Sequence, residues 1–153
     1  MEGNNQIVMA GQWYGYYSYG PEYGDKLEGE KVIFSLLIEE VFNNKFKGKC
    51  IELEGIGAST DVSTIEGFIE NSFISFRKEY PTYYIIDERG KEIPYEEQLH
   101  PRLSYSGSYN PAKQTFYGSW EIWSYERPAG EETLVDIATG KWEISKDHTL
   151  YGV

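Results

Sequence analysis

Apolar and polar residues alternate along most of this chain with a period of two residues. Such alternation is typical of strands that bury one face in an antiparallel sheet. It runs through residues 11–19, 32–38, 46–50, 65–69, 74–80, 105–109, 116–122 and 142–146. The pattern therefore predicts an all-β protein.

Residues that favour tight turns separate these alternating segments. Asn43-Asn44 and Asn71-Ser72 suit hairpins, because asparagine tolerates the positive φ that such turns require. Residues 87–90 and 110–113 are longer turns of the same kind. Neighbouring strands joined by hairpins predict a meander.

Two segments are less regular, and a third is ambiguous between helix and strand. Residues 20–29 are a glycine-rich, acidic loop, and residues 92–101 fit either a loop or one helical turn. Residues 31–43 contain good helix formers, but their β-branched start and hairpin exit favour a strand.

A meander leaves unpaired edges unless it closes on itself. We therefore expect one up-and-down antiparallel β-barrel of about eight to ten strands. Residues 1–153 form this single domain, and residues 1–9 are expected to be a flexible N-terminus. A β-sandwich is the alternative, but it would need longer crossover connections than the punctuation suggests.

Charge and composition narrow the range of partners. The 153 residues carry a formal net charge of −11, which disfavours binding to nucleic acid or to an anionic membrane. The single cysteine, Cys50, excludes an internal disulfide framework, and we expect it to be a small core residue. With no signal-peptide pattern and no membrane-length apolar run, we expect a cytoplasmic protein.

Three G-x-W motifs carry a resemblance to a known group of barrels. They end at Trp13, Trp120 and Trp142. The first resembles the calycin barrels, which comprise lipocalins, fatty-acid-binding proteins and the avidin group. The resemblance implies that Trp13 packs across the closed end of the barrel with Lys146 lying over it. The longer pattern at residues 65–122 resembles small calycin-like barrel proteins of uncharacterised function.

The sequence has no recognisable motif for catalysis, for a metal or for a cofactor. His100 lies in a proline-flanked loop and His148 lies near the C-terminus, and isolated loop histidines are usually solvated. The chain has no metal-spaced histidine or cysteine pair, no phosphate-binding glycine loop and no G-x-S-x-G elbow. We therefore predict no catalytic residue, no metal and no cofactor.

The inward phase supplies the candidate ligand-binding residues. They are Trp13, Tyr17, Phe34, Glu52, Lys78, Tyr105 and Trp120. Two interpretations stay open: a plugged aromatic core, or a lumen that stacks a flat ligand. Because an inward charge is costly unless it is paired or wet, Glu52 and Lys78 either pair or lie at the open mouth.

Three functions follow from this picture. The first is non-enzymatic binding of a small apolar or aromatic ligand in the barrel. The alternative is a filled barrel that acts as a structural or protein-interaction module through outward aromatics such as Tyr14, Tyr16, Trp123 and Tyr125, with a homo-oligomer as one form. The third and least supported is an enzyme built in the barrel mouth, as in calycin-like isomerases; it would need a perturbed acid or base such as Glu52.

Overall fold

The chain folds as an all-β protein whose main sheet closes into an eight-stranded, up-and-down antiparallel barrel. The computed structural model describes residues 7–81, 84–86, 92–94, 102–126 and 133–153. The strands are β1 Gly11–Tyr19, β2 Lys31–Phe42, β3 Lys45–Glu54, β4 Ser63–Glu70, β5 Phe73–Glu79, β6 Tyr84–Ile86, β7 Glu92–Pro94, β8 Arg102–Asn110, β9 Thr115–Glu126 and β10 Thr133–Ser145. The predicted fold class is confirmed.

The order of strands in the sheet follows the order in the sequence. Around the barrel it runs β1-β10-β9-β8-β5-β4-β3-β2. Strands β6 and β7 form a separate two-stranded ribbon within the chain segment that connects β5 to β8. Pairing of β1 with β10 closes the ring, with Gly15 opposite Ile144 and Tyr17 opposite Trp142. Closure leaves the barrel without edge strands, which removes the sandwich alternative.

Local sequence explains most of the turns. The segment that also contained helix formers is strand β2, and Asn43 and Asn44 after it have φ of 51° and 65°. Asn71 has φ of 56° in the β4–β5 hairpin. Residues 92–101 were expected as a loop or helical turn, but their described part, Glu92–Pro94, is a strand paired with Tyr84–Ile86. The predicted turn at residues 87–90 lies outside the described residues.

The two ends of the barrel differ. At one end, here called the hairpin end, lie the tight β2–β3, β4–β5 and β8–β9 turns. At the other, here called the loop end, lie the longer connections at residues 20–30 and 55–62. The first of these contains a 3-10 turn at Pro21–Tyr23.

Trp13 closes the hairpin end. Its indole Nε1 donates to the Met9 carbonyl at 2.8 Å. The Lys146 ammonium lies 5.3 Å from the centroid of the Trp13 ring and donates to the Ala10 carbonyl at 2.9 Å. The predicted placement of Lys146 over Trp13 is therefore confirmed. Residues 1–9 were expected as a flexible N-terminus; within that range Met9 packs into the core.

Aromatic side chains fill the middle of the barrel. The rings of Phe76 and Tyr105 stack with centroids 4.8 Å apart, and Trp142 meets both of them edge-on. The Trp142 indole also donates to backbone carbonyls at Ser106 and Ser119. This layer packs the interior between the two ends. In the described parts of the chain, no helix is long and apolar enough to cross a membrane.

The close approach of β10 to Trp120 predicts one sensitive position. A Cβ added at Gly140 would lie 2.0 Å from the Ser18 carbonyl oxygen and 2.3 Å from Trp120 Nε1. We expect Gly140→Ala to lower the free energy of unfolding by about 1–3 kcal/mol, because the strand and the indole must move apart. Urea denaturation measures this change. The exposed neighbour variant Lys141→Ala should stay within about 0.5 kcal/mol of the parent; an equally small effect at Gly140 would contradict the packing.

Candidate functional site

A carboxylate and an ammonium group form an ion pair inside the barrel. Lys78 Nζ lies 2.7 Å from Glu52 Oε2, and the two side chains are 2% and 1% exposed. The sequence left two outcomes open for these residues, and the structure shows the pair. Both charges therefore lie in the interior and away from a solvated rim.

Strand alternation carries both groups inward. On β3, Phe46, Gly48, Cys50 and Glu52 are buried in turn. One extra residue on β3, Leu53, interrupts its pairing with β2, because Ile33 pairs with Glu54 while Phe34 pairs with Glu52. The irregularity comes one residue after Glu52 and leaves the inward phase intact up to that position.

Four donors from different parts of the chain surround the Glu52 carboxylate. Oε2 accepts hydrogen bonds from Lys78 Nζ and from the Tyr80 hydroxyl. Oε1 accepts from the Tyr17 hydroxyl at 3.0 Å and from the Ser59 backbone N–H at 2.8 Å. Hydrogen bonds to an ionised acceptor are among the stronger ones in proteins. The carboxylate thus joins β1, β3, β5 and the β3–β4 loop.

Aromatic rings enclose the ammonium group of Lys78. Its Nζ lies 4.9 Å from the ring centroids of Tyr17 and Tyr80, 5.7 Å from that of Phe34 and 6.0 Å from that of Tyr105. Ring faces carry partial negative charge and attract a cation at these distances. We call Tyr17, Phe34, Glu52, Lys78, Tyr80 and Tyr105 the interior cluster.

The pair is ionised at neutral pH. Burial alone would raise the pKa of Glu52, but Lys78 and the hydrogen bonds from Tyr80 and Ser59 outweigh it, so the pKa is lowered. Burial alone would lower the pKa of Lys78, but the ionised Glu52 carboxylate at 2.7 Å outweighs it, and the pKa is raised well above the ordinary value. Each charge therefore keeps the other in its charged form.

The other acidic groups of the cluster stay protonated. Burial is the largest influence on Tyr17, Tyr80, Tyr105 and the neighbouring thiol of Cys50, and it raises the pKa of each. Cys50 is buried, as expected for a core residue. Neither the Cys50 thiol nor the Lys78 ammonium is in the deprotonated form that a nucleophile needs.

All seven candidate ligand-binding residues are buried, but they do not form one group. Tyr17, Phe34, Glu52, Lys78 and Tyr105 meet in the interior cluster. Trp120 joins it from the loop end, with its ring centroid 5.9 Å from that of Tyr17 and its Nε1 donating to the Ser18 carbonyl. Trp13 is separate and packs on Phe116 at the hairpin end.

Sequence reasoning missed two partners of Glu52. Tyr80 shares the inward phase of Lys78 on β5, so parity was the signal that pointed to it. Ser59 contributes only its backbone N–H from a loop without periodicity, and no sequence signal indicated it. The cluster is therefore more complete than the candidate residues implied.

His148, Tyr14 and Tyr16 lie on the outside of the barrel. His148 is exposed, and its ring lies 5.7 Å from that of Tyr14. Tyr151 packs against Tyr16 at 6.2 Å, so the C-terminal 3-10 turn at His148–Tyr151 covers these two outward tyrosines. His100 lies outside the described residues. Within the described ranges, no three histidine, cysteine or acidic side chains are grouped to hold a metal.

The fold and the cluster define a closed β-barrel protein with a buried ion pair. Comparisons with models of protein families and with curated proteins found no match to this chain.

The ion pair predicts an asymmetric response to mutation. Glu52→Gln should lower the free energy of unfolding by about 3–5 kcal/mol, because Lys78 is then buried without a counter-charge. The double variant Glu52→Gln with Lys78→Met should recover most of that loss, because it leaves no charge to compensate. Urea denaturation at pH 7 measures both. Additive losses in the double variant would show that the two side chains do not form a coupled pair.

Proposed function

We propose that this protein binds a small, uncharged aromatic or apolar molecule at the loop end of its barrel, next to the interior cluster. Tyr17 and Trp120 place aromatic rings at that end, and we expect a flat ligand to stack on them. The bound molecule is held without covalent chemistry. The protein acts in the cytoplasm, where its single thiol stays reduced.

The position of the Glu52–Lys78 pair carries this proposal. Well-packed apolar residues are often as stabilising as a buried ion pair, so stability gives little reason to keep one. The pair lies with Tyr17 and Tyr80 toward the end of the barrel where the longer loops lie. Buried polar groups beside aromatic surfaces are the usual composition of a small-molecule site.

The balance of charge in the cluster supports an uncharged ligand. Lys78 and Glu52 neutralise each other, and both carboxylate oxygens already accept two hydrogen bonds. An ionised ligand would lose its hydration without gaining a free counter-charge from this pair. A neutral ring system avoids that penalty.

The hairpin end supports membership of the calycin-like barrels. Trp13 on the first strand with Lys146 over its ring is the arrangement that the resemblance implied. Barrels of about eight strands have room for side chains or for one small ligand. In this chain the aromatic layer around Trp142 fills the middle, which favours the loop end for the ligand.

Two dyes that share one ring system test the proposal. N-phenyl-1-naphthylamine is neutral, and 8-anilinonaphthalene-1-sulfonate is the same molecule with an added anionic group. We expect the neutral dye to bind at least about ten-fold more tightly, since the sulfonate must be desolvated. Fluorescence titration gives both dissociation constants.

Two tryptophan variants locate the bound dye. Trp120→Phe should weaken the neutral dye by about five-fold or more, because it removes stacking surface at the loop end. Trp123→Phe, on the outward face of the same strand, is the matched control and should leave affinity unchanged. Absence of binding, equal affinity for both dyes, or equal effects of the two variants would contradict the proposed site.

A second candidate function is supported by the outer wall near the hairpin end. Phe42 is 77% exposed, and Phe68 and Phe73, whose rings lie 6.0 Å apart, are about two-fifths exposed. Exposed apolar side chains on a closed barrel favour a contact surface for another protein or a second copy. In that case the barrel is filled, neither dye enters it, and sedimentation velocity shows association as concentration rises.

A further inference from the structure

Among the described residues, two loops lie at the loop end beside the interior cluster. The first is the β1–β2 loop, where Tyr23 places its ring 4.7 Å from that of Tyr19 and 6.2 Å from that of Trp120. The carboxylate of Glu22 fastens this loop to β10, because it accepts hydrogen bonds from the backbone N–H and the hydroxyl of Thr139.

The second is the β3–β4 loop, residues 55–62. The Ser59 backbone N–H donates to Glu52 at 2.8 Å, and the Ile56 carbonyl accepts from the Tyr19 hydroxyl at 2.7 Å. Ala58 packs partly buried against the core. The β3–β4 loop therefore contacts both Glu52 of the ion pair and Tyr19, whose ring contacts Tyr23 of the β1–β2 loop.

Tyr19 is the side chain that the two loops share. Its ring contacts Tyr23 of the first loop, and its hydroxyl binds Ile56 of the second. At Gly57, with φ of +83°, a Cβ would lie 2.4 Å from the Tyr19 hydroxyl, so the backbone of the second loop lies directly against it. Displacing either loop disturbs a contact of the same residue.

The hydrogen bonds that hold the two loops can break without unfolding the barrel. The Tyr19–Ile56 and Glu22–Thr139 hydrogen bonds are exposed to solvent, where water replaces a lost partner. If the β3–β4 loop lifts, Glu52 loses the Ser59 donor but keeps Lys78, Tyr17 and Tyr80. The interior cluster therefore survives the opening.

We propose that the β1–β2 and β3–β4 loops form a gate over the ligand site, and that Tyr19 couples them so that they open together. This inference rests on the proposed binding function, since it assigns the route by which the ligand enters. It identifies Tyr19 as a positioning residue. The side chain controls access and leaves the ligand contacts beneath it in place.

Amide hydrogen exchange tests the coupling without a ligand. The Ser59 amide reports on the β3–β4 loop, because it donates to Glu52 and loses that acceptor when the loop opens. The Thr139 amide on β10 reports on the β1–β2 loop, because it donates to Glu22 of that loop. In Tyr19→Phe, which removes the hydroxyl that donates to Ile56 and keeps the ring, both amides should exchange faster by the same factor of about five to ten. Tyr117→Phe, on the outer wall, is the matched control and should change neither.

Acceleration of one amide alone, or of neither, would overturn the coupled gate. Stopped-flow fluorescence with N-phenyl-1-naphthylamine then measures access. Tyr19→Phe should raise the association and dissociation rates by one common factor and leave the dissociation constant unchanged; a changed constant with unchanged rates of entry would also overturn the gate. If the dye does not bind at all, the binding proposal fails, and the exchange rates still decide whether the loops open together.

Discussion

The ion pair between Glu52 and Lys78 is the interaction on which this interior depends. Two charges are stable away from water only if each finds the other and if neighbouring donors complete their hydrogen bonds. Here the donors come from β1, β5 and a loop, which are distant in sequence but adjacent around the closed ring. The pair therefore needs the barrel to close, and closure places rings of Tyr17 and Phe34 around the cation.

This arrangement divides the barrel into regions with different physical roles. At the hairpin end, Trp13 and Lys146 seal a tightly connected set of strands. In the middle, stacked aromatic rings exclude water. Toward the loop end the interior becomes polar, and the loops above it are fastened by exposed hydrogen bonds that are easily exchanged with water. The tight turns therefore lie at one end of the barrel, and the loops with exposed hydrogen bonds lie at the other.

Strand periodicity explains which parts of this picture were predictable. A period of two residues fixes which face each side chain occupies, so the inward position of Lys78 followed from parity, and that of Glu52 followed on the condition that no bulge comes before it near Cys50. The pattern failed where the backbone departs from it. Strand β10 begins at Thr133, ahead of the predicted alternation, and its register shifts between Asp136 and Ala138. The contacts of Ser59 and Tyr23 were beyond prediction because they depend on loop paths, which have no period.

The charge state of Lys78 tests the central claim most directly. Nuclear magnetic resonance of the protein with 15N-labelled lysine detects ammonium groups that are shielded from exchange with water. We predict one Nζ signal that persists at pH values above 10.5, the ordinary pKa of lysine, that disappears in Lys78→Met, and that correlates across a hydrogen bond with the Glu52 carboxylate. If Lys78 instead loses its proton together with the surface lysines, the buried ion pair is not present as described, and the account of the interior is wrong.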